Sequence, residues 1–220
     1  MPPAAILFDL DDTLADRAAA LRRYARFFAE DFGARLLPSL TRTIHETLIE
    51  IDDFGSRAQA EALSSALPWR TPVEPGVLFD HWAARFGEAA VAFDDVDAVL
   101  AELQNRQIRM GLVTNGGAAM QRAKIAALGL ERYMQTVVIS AEVDMRKPDP
   151  AIFRHALTQL GCDASEEVWF VGDHPDLDVR GAHEAGLQAF WVQTGAFTAP
   201  DDLPGHRLDR LSDLLNHLDD

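Results

Sequence analysis

Three aspartates follow the first apolar run of the chain within four positions. Residues 4–8 are apolar enough for a buried strand, and Asp9, Asp11 and Asp12 come directly after them. In an extended chain the side chains of Asp9 and Asp11 leave on the same side. Carboxylate and backbone oxygens can hold a hard divalent cation, and one carboxylate can act as a nucleophile. A solvated junction between strand and loop, with Thr13 capping a turn, explains this stretch equally well when it is taken alone.

Further polar residues stand at or near the ends of later apolar runs: Thr114, Asn115, Gly116, Lys147, Asp173 and Asp178. In open parallel sheets, ligands bind at the carboxyl ends of the strands, so we expect these side chains to meet at one edge. Each has an ordinary alternative as a turn residue or a helix cap. Their joint occurrence, in this order and spacing, favours a common site.

This mixture of residues is suited to phosphoryl transfer. Asp9 is the candidate nucleophile, and Asp11 can protonate the leaving alcohol and then activate water. Clustered carboxylates take up protons unless a cation neutralises them, and Mg²⁺ prefers oxygen ligands. Asp9, Asp11 and Asp173 are therefore the candidate metal ligands.

The remaining candidates would bind the phosphoryl group. Thr114 and the amides of Asn115 and Gly116, at the start of a helix, suit phosphate oxygens. Lys147 would stabilise the charge that develops during transfer. Asp178 is expected to orient Lys147 or metal-bound waters without being a metal ligand itself.

The elements that must position these residues alternate between strands and helices. Strands are predicted for the first apolar run and for residues 108–113, 136–140, 167–171 and 188–192. Helices are predicted from residues 94–95, over 118–128, 150–160 and 178–185, and in a C-terminal segment carrying Leu208, Leu211, Leu214, Leu215 and Leu218. Strands separated by helices indicate an α/β fold with a Rossmann-like parallel sheet.

Residues 16–92 carry helical patterns only. Helices are expected from Asp16 to Phe32, from Ser39 to Gly55, from Ser56 to Pro68 and after a loop that spans residues 68–76. We therefore expect a catalytic core of residues 1–15 and 93–220 and an inserted helical bundle of residues 16–92.

Composition excludes some classes of function. The 220 residues include 35 acidic and 20 basic ones, a net charge of −15, which argues against a nucleic-acid polymer as partner. Cys162 is the single cysteine, and neither a signal peptide nor an apolar run of membrane-spanning length is evident. These features favour a cytoplasmic protein that does not act at a membrane, and a monomer is the default expectation.

Four stretches together resemble the haloacid dehalogenase (HAD) superfamily, in particular its phosphatase branch. The first is Asp9-Leu10-Asp11-Asp12-Thr13, which is similar to the family's Asp-x-Asp-x-Thr motif; the others are Thr114, Lys147-Pro148, and Gly172-Asp173 with Asp178. The resemblance covers residues 1–15 and about 93–210. It implies that the inserted helices form a cap of the first insertion type.

The resemblance implies a Mg²⁺-dependent phosphatase that acts on a small phosphorylated metabolite through an aspartyl-phosphate on Asp9. It also implies that the backbone carbonyl of Asp11 binds the metal. Asp12 departs from the glycine that many members carry, and His174 stands where a small hydroxyl residue is common. A sugar-phosphate mutase and a 2-haloacid dehalogenase of the same superfamily remain alternatives, although the dehalogenases typically lack the second aspartate.

Two alternatives lie outside these enzymes, and substrate choice is open. A phospho-accepting signalling domain also clusters Asp, Thr and Lys, but is about half this length. A catalytically inactive binding module would require a replaced motif residue, and none is replaced. For any single cap residue the pattern favours an ordinary role, with Tyr24 and Phe28 as core of the bundle and the arginines solvated. The candidate specificity residues are Arg17, Arg23, Tyr24, Phe27, Phe28, Trp69 and Arg70. Hinges are expected near residues 15–20 and 86–93.

Overall fold

A six-stranded parallel sheet forms the centre of the protein. The computed structural model describes residues 2–37, 41–52, 55–165, 167–194, 197–198 and 200–218, with backbone alone for 41–43. The strand order is β3-β2-β1-β4-β5-β6. The strands are β1 Ala5–Phe8, β2 Arg109–Thr114, β3 Thr136–Ile139, β4 Val168–Gly172, β5 Gln188–Val192 and β6 His206–Leu208. The predicted α/β fold with a parallel sheet is confirmed.

The central position of β1 determines what meets at the carboxyl edge of the sheet. Phe8 pairs with Leu112 of β2 on one side and with Val171 of β4 on the other. All four residues of β1 are buried, as expected for a strand covered on both faces. Because the strands are parallel and in register, the residues that follow Phe8, Thr114 and Gly172 emerge close together.

Helices cover both faces of the sheet. They are α5 Val96–Asn105, α6 Ala118–Ala127, α7 Ser140–Val143, α8 Pro150–Leu160 and α9 Gly181–Glu184. Val99 and Leu103 of α5 pack in one apolar cluster, and Ile152 and Phe153 of α8 pack in a second. β1 contributes alternate residues to the two clusters, with Ile6 in the first and Leu7 in the second.

Four helices between β1 and α5 enclose an apolar cluster of their own. They are α1 Arg17–Phe32, α2 Thr41–Glu50, α3 Arg57–Ala66 and α4 Pro75–Arg85. Tyr24, Phe28 and Trp82 lie at the centre of this cluster. Asp16 caps α1 through a 2.7 Å bond from the Ala19 amide, as its position predicts.

The start of the second of these helices is untested, and the start of the fourth differs from the prediction. The predicted start of the second helix at Ser39 lies outside the described residues. The fourth helix begins at Pro75, which had been placed in a loop, because proline is favoured in the first turn, where no amide donor is needed.

Three other local predictions are wrong. The leucines after residue 207 do not share one helix: Leu208 ends β6, and Leu211–Leu218 form a 3₁₀-helix. The predicted helix over 178–185 is a π-helix, Pro175–Arg180, followed by α9. Ser140 begins α7 and does not end β3. In each case the element is short, so tertiary contacts decide its type and bounds more than the local pattern does.

Within the described parts of the chain, none of the helices is at once long and apolar enough to cross a bilayer.

Candidate active site

All eight predicted site residues border one cavity of about 550 Å³ at the carboxyl edge of the sheet. They are Asp9, Asp11, Thr114, Asn115, Gly116, Lys147, Asp173 and Asp178. The strand-end positions inferred from the sequence therefore converge in space.

Lys147 joins two of the carboxylates. Its Nζ lies 2.5 Å from Asp9 Oδ1 and 2.6 Å from Asp178 Oδ1, and all three residues are buried. Burial alone would lower the pKa of the Lys147 ammonium, but the charges of Asp178 and Asp9 outweigh it and raise that pKa above its ordinary value. Lys147 is therefore a fixed positive charge beside the candidate nucleophile.

Asp9, Asp173 and Asp178 form the acidic cluster of the site. Each can present a carboxylate oxygen within 4.8 Å of the others. Burial raises the pKa of Asp9 to about 7, despite Lys147, with Asp178 adding to the rise. Burial and the neighbouring Asp9 raise the pKa of Asp173 to about 9. If nothing but protein surrounded them, Asp173 would therefore hold a proton at neutral pH and Asp9 would be partly protonated.

The donor set of this cluster fits a hard divalent cation. The carboxylates of the site outnumber its cationic side chains: they are Asp9, Asp11, Asp12, Asp173 and Asp178 against Lys124, Arg146 and Lys147. A divalent cation beside Asp9 and Asp173 would remove the penalty that raises their pKa values. Asp178 is less available, since Lys147 Nζ and the His174 amide occupy its Oδ1 and Oδ2, at 2.6 and 3.0 Å.

Gly172 makes room for Asp178. A Cβ at this position would lie 2.5 Å from the Cβ, Cγ and Oδ2 of Asp178. The short π-helix that follows is capped by His174, whose Nδ1 accepts from the amides of Asp176 and Leu177 at 3.2 Å. His174 also borders the cavity, where its ring lies 4.4 Å from that of Phe197.

Asn115 ties the end of β2 to the loop that carries Lys147. Its side-chain amide donates to the Lys147 carbonyl at 3.0 Å, and its Oδ1 accepts from the Lys147 amide at 2.9 Å. The Gly116 amide donates to Ser140 Oγ at 3.0 Å. The side chain of Asn115 therefore has a structural contact in addition to the predicted role of its backbone amide.

Asp11 has two partners that are not among the predicted site residues. Lys124 Nζ lies 2.7 and 2.8 Å from its two carboxylate oxygens, and Gln121 Nε2 lies 3.0 Å from Oδ2. Burial raises the pKa of Asp11, but the charge and hydrogen bond of Lys124 outweigh it and leave the pKa below the usual range. A signal exists in the sequence: Gln121 and Lys124 share a face of α6 with the apolar Ile125.

Asp12 serves the backbone near the site. Its φ of 54° lies in the left-handed region, which glycine favours and aspartate tolerates. Its Oδ1 accepts from the Arg17 amide at 3.3 Å, at the start of α1. The left-handed conformation and the bond to the Arg17 amide give Asp12 a local structural role.

A second cavity, of about 300 Å³, lies between the helical region and the sheet edge. It shares Asp11, Asn115 and Gly116 with the first cavity. Its other side is lined by Arg17, by Phe79 and Trp82 of α4, and by Phe86, which follows α4. Of the seven specificity candidates chosen from the sequence, Arg17 borders it, and the other six are absent from its described lining. Tyr24 and Phe28 instead form the apolar cluster of the helices.

The family profile of haloacid dehalogenase-like hydrolases matches residues 6–192, which include every residue placed at the site. The chain belongs to this family. The resemblance to its phosphatase branch is confirmed by curated relatives of high similarity.

Two of these relatives are phosphatases. The phosphoserine phosphatase of Thermus thermophilus is 42% identical over 188 residues, covering 81% of this chain and 73% of the relative. The glyceraldehyde 3-phosphate phosphatase of Methanopyrus kandleri is 36% identical and covers 96% of this chain and 95% of the relative. Among solved structures, the magnesium-bound HAD-hydrolase YfnB of Bacillus subtilis aligns with a TM-score of 0.80 over 100% of both chains, at 20% identity. That likeness shows the fold.

Proposed function

We propose that this phosphatase hydrolyses a small phosphomonoester in two steps, with Mg²⁺ as cofactor and an aspartyl-phosphate on Asp9 as intermediate. The observation that carries the proposal is the position of Asp9. Its buried carboxylate contacts Lys147 at 2.5 Å and shares an acidic cluster with Asp173. A nucleophile beside a fixed cation and a metal-binding carboxylate is the arrangement that phosphoryl transfer needs.

In the first step an Asp9 oxygen attacks phosphorus while the bond from phosphorus to the ester oxygen breaks. Despite burial, Lys124 keeps the pKa of Asp11 below its usual range in this structure, so Asp11 must take up a proton once the negative charge of the bound phosphoryl group lies beside it. Asp11 then gives this proton to the departing alkoxide, which leaves as a neutral alcohol. Thr114 and the amides of Asn115 and Gly116 bind phosphoryl oxygens. Lys147 offsets the negative charge on the transferring group.

In the second step water attacks the phosphorus of the aspartyl-phosphate. Asp11 takes the proton from this water, the acyl phosphate bond breaks and Asp9 is restored as inorganic phosphate leaves. The same carboxyl group thus serves as acid and then as base, so the proton balance closes over one turnover.

The magnesium ion would be held by Asp9, Asp173 and the backbone carbonyl of Asp11. Asp178 would orient Lys147 through its hydrogen bond with the Lys147 ammonium. A bound Mg²⁺ would neutralise the carboxylates and screen the phosphoryl charge. The cluster of carboxylate oxygens and the raised pKa values of Asp9 and Asp173 support this assignment.

We further propose that residues 16–92 act as a cap over the core of residues 1–15 and 93–220. Two chain crossings connect the parts and run side by side: the Asp16 amide donates to Val91 O at 2.8 Å, and the Phe93 amide to Leu14 O at 3.2 Å. The leaving group would occupy the cavity of about 300 Å³ between the parts. Motion about these crossings would admit substrate and then exclude water.

Asp9→Asn tests the nucleophile with little change in shape. Phosphate release should be measured from 4-nitrophenyl phosphate and from a panel that includes phosphoserine, glyceraldehyde 3-phosphate, phosphoglycolate, sugar phosphates and nucleoside monophosphates. We expect Asp9→Asn to lose release from every substrate while it still unfolds in a cooperative thermal transition, because Lys147 keeps Asp178 as a partner. Wild-type turnover by this variant would refute the assignment.

The product separates the alternatives within the superfamily. A mutase would convert a sugar phosphate into its isomer when a bisphosphate is added, and a dehalogenase would release halide from 2-haloacids. We expect free phosphate as the product and neither of these outcomes. Acid-quenched protein should carry labelled phosphate during turnover, and this label should be absent from Asp9→Asn.

A further inference from the structure

Helix α6 turns two polar side chains toward the protein interior. Gln121 is 2% exposed and Lys124 is 5% exposed, although glutamine and lysine are rarely buried without a specific partner. They stand three residues apart, so they share a face of the helix. Both line the cavity proposed for the leaving group, but none of the catalytic roles proposed above uses either of them.

Both side chains are directed at the candidate acid/base. Lys124 Nζ contacts the two carboxylate oxygens of Asp11 at 2.7 and 2.8 Å. Gln121 Nε2 contacts Asp11 Oδ2 at 3.0 Å and Thr114 Oγ1 at 2.7 Å. Through Gln121, the direction of the Asp11 carboxylate is coupled to the threonine at the phosphate-binding turn.

The surroundings restrict both groups further. The Lys124 ammonium lies 5.6 Å from the centroid of the Phe86 ring, which comes from the helical region. A Cβ on Gly116 would lie 2.9 Å from Cγ and Cδ of Gln121, so only glycine at position 116 leaves room for the Gln121 side chain. A carboxylate held on both oxygens, by groups that are themselves packed, has little freedom to rotate.

We propose that Lys124 and Gln121 are positioning residues that hold the Asp11 carboxylate in the direction from which it exchanges protons with the ester oxygen. This proposal rests on the proposed acid/base role of Asp11. Proton transfer requires the acid within hydrogen-bond reach of the leaving oxygen, so a freely rotating carboxylate transfers protons less effectively. A purely structural role, in which Lys124 neutralises a buried charge, predicts loss of stability with no dependence on the substrate.

The leaving group distinguishes these two roles. The nitrophenolate of 4-nitrophenyl phosphate departs without a proton, whereas the more basic alkoxide of 4-nitrobenzyl phosphate needs one from Asp11 as the phosphorus–oxygen bond breaks. The two substrates differ by a single methylene group. Misplacement of Asp11 should therefore slow the benzyl ester much more than the phenyl ester.

The experiment measures kcat and KM for both esters in Lys124→Met, Gln121→Met and Lys124→Arg. We expect kcat/KM for 4-nitrobenzyl phosphate to fall on the order of 10²-fold in the two methionine variants, while 4-nitrophenyl phosphate changes little. Lys124→Arg should recover part of the loss because it keeps the charge. An equal loss of kcat/KM for both esters in Lys124→Met and Gln121→Met would overturn the proposal.

Arg122→Met is the matched control on the same helix. It removes an exposed ion pair with Glu142, 2.6 Å long, and should leave both esters unaffected. Activity on 4-nitrophenyl phosphate and thermal unfolding together report whether each variant folds.

A double-mutant cycle separates failure of this inference from failure of the proposed function. Asp11→Asn should show the same selective loss, and Lys124→Met should add nothing to it, because Lys124 acts through Asp11. If Asp11→Asn lowers kcat/KM equally for both esters, the acid/base assignment itself is wrong; a common fall in kcat is expected, because Asp11 is also the base in the second step, which both esters share. If Asp11→Asn is selective but Lys124→Met is not, the acid/base role stands and the positioning role is refuted.

Discussion

At the scale of single residues, Lys147 is the cation that partly balances two carboxylates of the site, Asp9 and Asp178. Its ammonium lies within 2.6 Å of oxygens from both Asp9 and Asp178, in a place closed to solvent. A buried pair that loses one partner leaves an uncompensated charge, which costs about 3–5 kcal/mol. Asp173 has no such ammonium within the distances described, and its pKa shows the larger rise, to about 9. Asp9 therefore has the Lys147 ammonium as its counter-charge, whereas the counter-charge of Asp173 must come from another group.

Asp173→Asn should remove the stabilisation that Mg²⁺ gives. A ligand that binds only the folded state raises the free energy of unfolding, so Mg²⁺ should raise the melting temperature of the wild type. Thermal unfolding with and without Mg²⁺ measures this effect. Asp176→Asn is the control, because Asp176 is an exposed neighbour paired with Arg180. An unchanged Mg²⁺ response in Asp173→Asn would remove this residue from the ligand set.

Mg²⁺ affinity should rise with pH. Burial raises the pKa of Asp9 to about 7 and that of Asp173 to about 9, so the metal must displace protons from both below these values. Affinity should be lowest under mildly acidic conditions and increase until both carboxyl groups ionise. Titration of the melting temperature with Mg²⁺ at several pH values checks the direction. A constant affinity across this range would contradict the proton competition.

The residues at strand ends could be predicted from the sequence, and those on the helix could not. Asp9, Thr114 and Asp173 each follow an apolar run, so sheet topology alone brings them together. Gln121 and Lys124 become site residues only because α6 turns this face toward Asp11. Sequence spacing places them on one face of the helix, but the rotation of that helix is decided by tertiary packing.

At the scale of elements, the junction between β4 and the π-helix delivers two site residues, Asp173 and Asp178, within six positions. Gly172 ends the strand, and Asp173 and Asp178 stand on either side of His174 and the first π-helical residues. Asp178 folds back over Gly172 so closely that no side chain fits there. The turn can therefore bring a second carboxylate to Lys147 only with glycine at its start.

Gly172→Ala should damage the site more than the fold. The added methyl would overlap Asp178 and should cost about 1–3 kcal/mol of stability, as overpacking does. The larger effect should be on kcat, because displacing Asp178 releases Lys147. Gly33→Ala is the control, since a methyl there meets nothing within 4 Å. Denaturant unfolding and phosphate release measure the two effects, and full activity in Gly172→Ala would contradict this account.

The elements that the sequence failed to predict are short and bordered by polar residues. β6 has three residues, of which Leu208 alone is buried. Spacing of Leu208 with the later leucines matches a helix, but the pairing of Phe190 with His206 decides the outcome. Longer runs such as β2 and α8 carry enough apolar periodicity to be predicted from sequence alone.

At the scale of the whole molecule, the four tryptophans report on different parts. Trp69 and Trp82 belong to the helical region, whereas Trp169 and Trp191 are in β4 and β5. Trp82 borders the cavity proposed for the leaving group. The sheet tryptophans are buried in the clusters on either side of the sheet. Fluorescence can therefore follow ligand binding in the cavity.

In Asp9→Asn protein, 4-nitrobenzyl phosphate should quench tryptophan fluorescence, because its nitro-aromatic group would lie against Trp82. Adding Trp82→Phe should remove most of this quenching, whereas adding Trp169→Phe should leave it. The measurement is a fluorescence titration of the three proteins. Undiminished quenching after Trp82→Phe would place the leaving group elsewhere.

The contact between Asn115 and Lys147 also bears on how the enzyme ages. An asparagine followed by glycine is prone to deamidation, in which the glycine nitrogen attacks the side-chain carbonyl. Here the side-chain nitrogen and oxygen of Asn115 both form hydrogen bonds with the backbone of Lys147, and the Gly116 amide donates to Ser140 Oγ. Deamidation would replace the group that donates to the Lys147 carbonyl by an acceptor that repels it. The folded loop thus slows the deamidation of Asn115. In stored protein, the molecules in which this loop opens should deamidate at Asn115 and lose activity first.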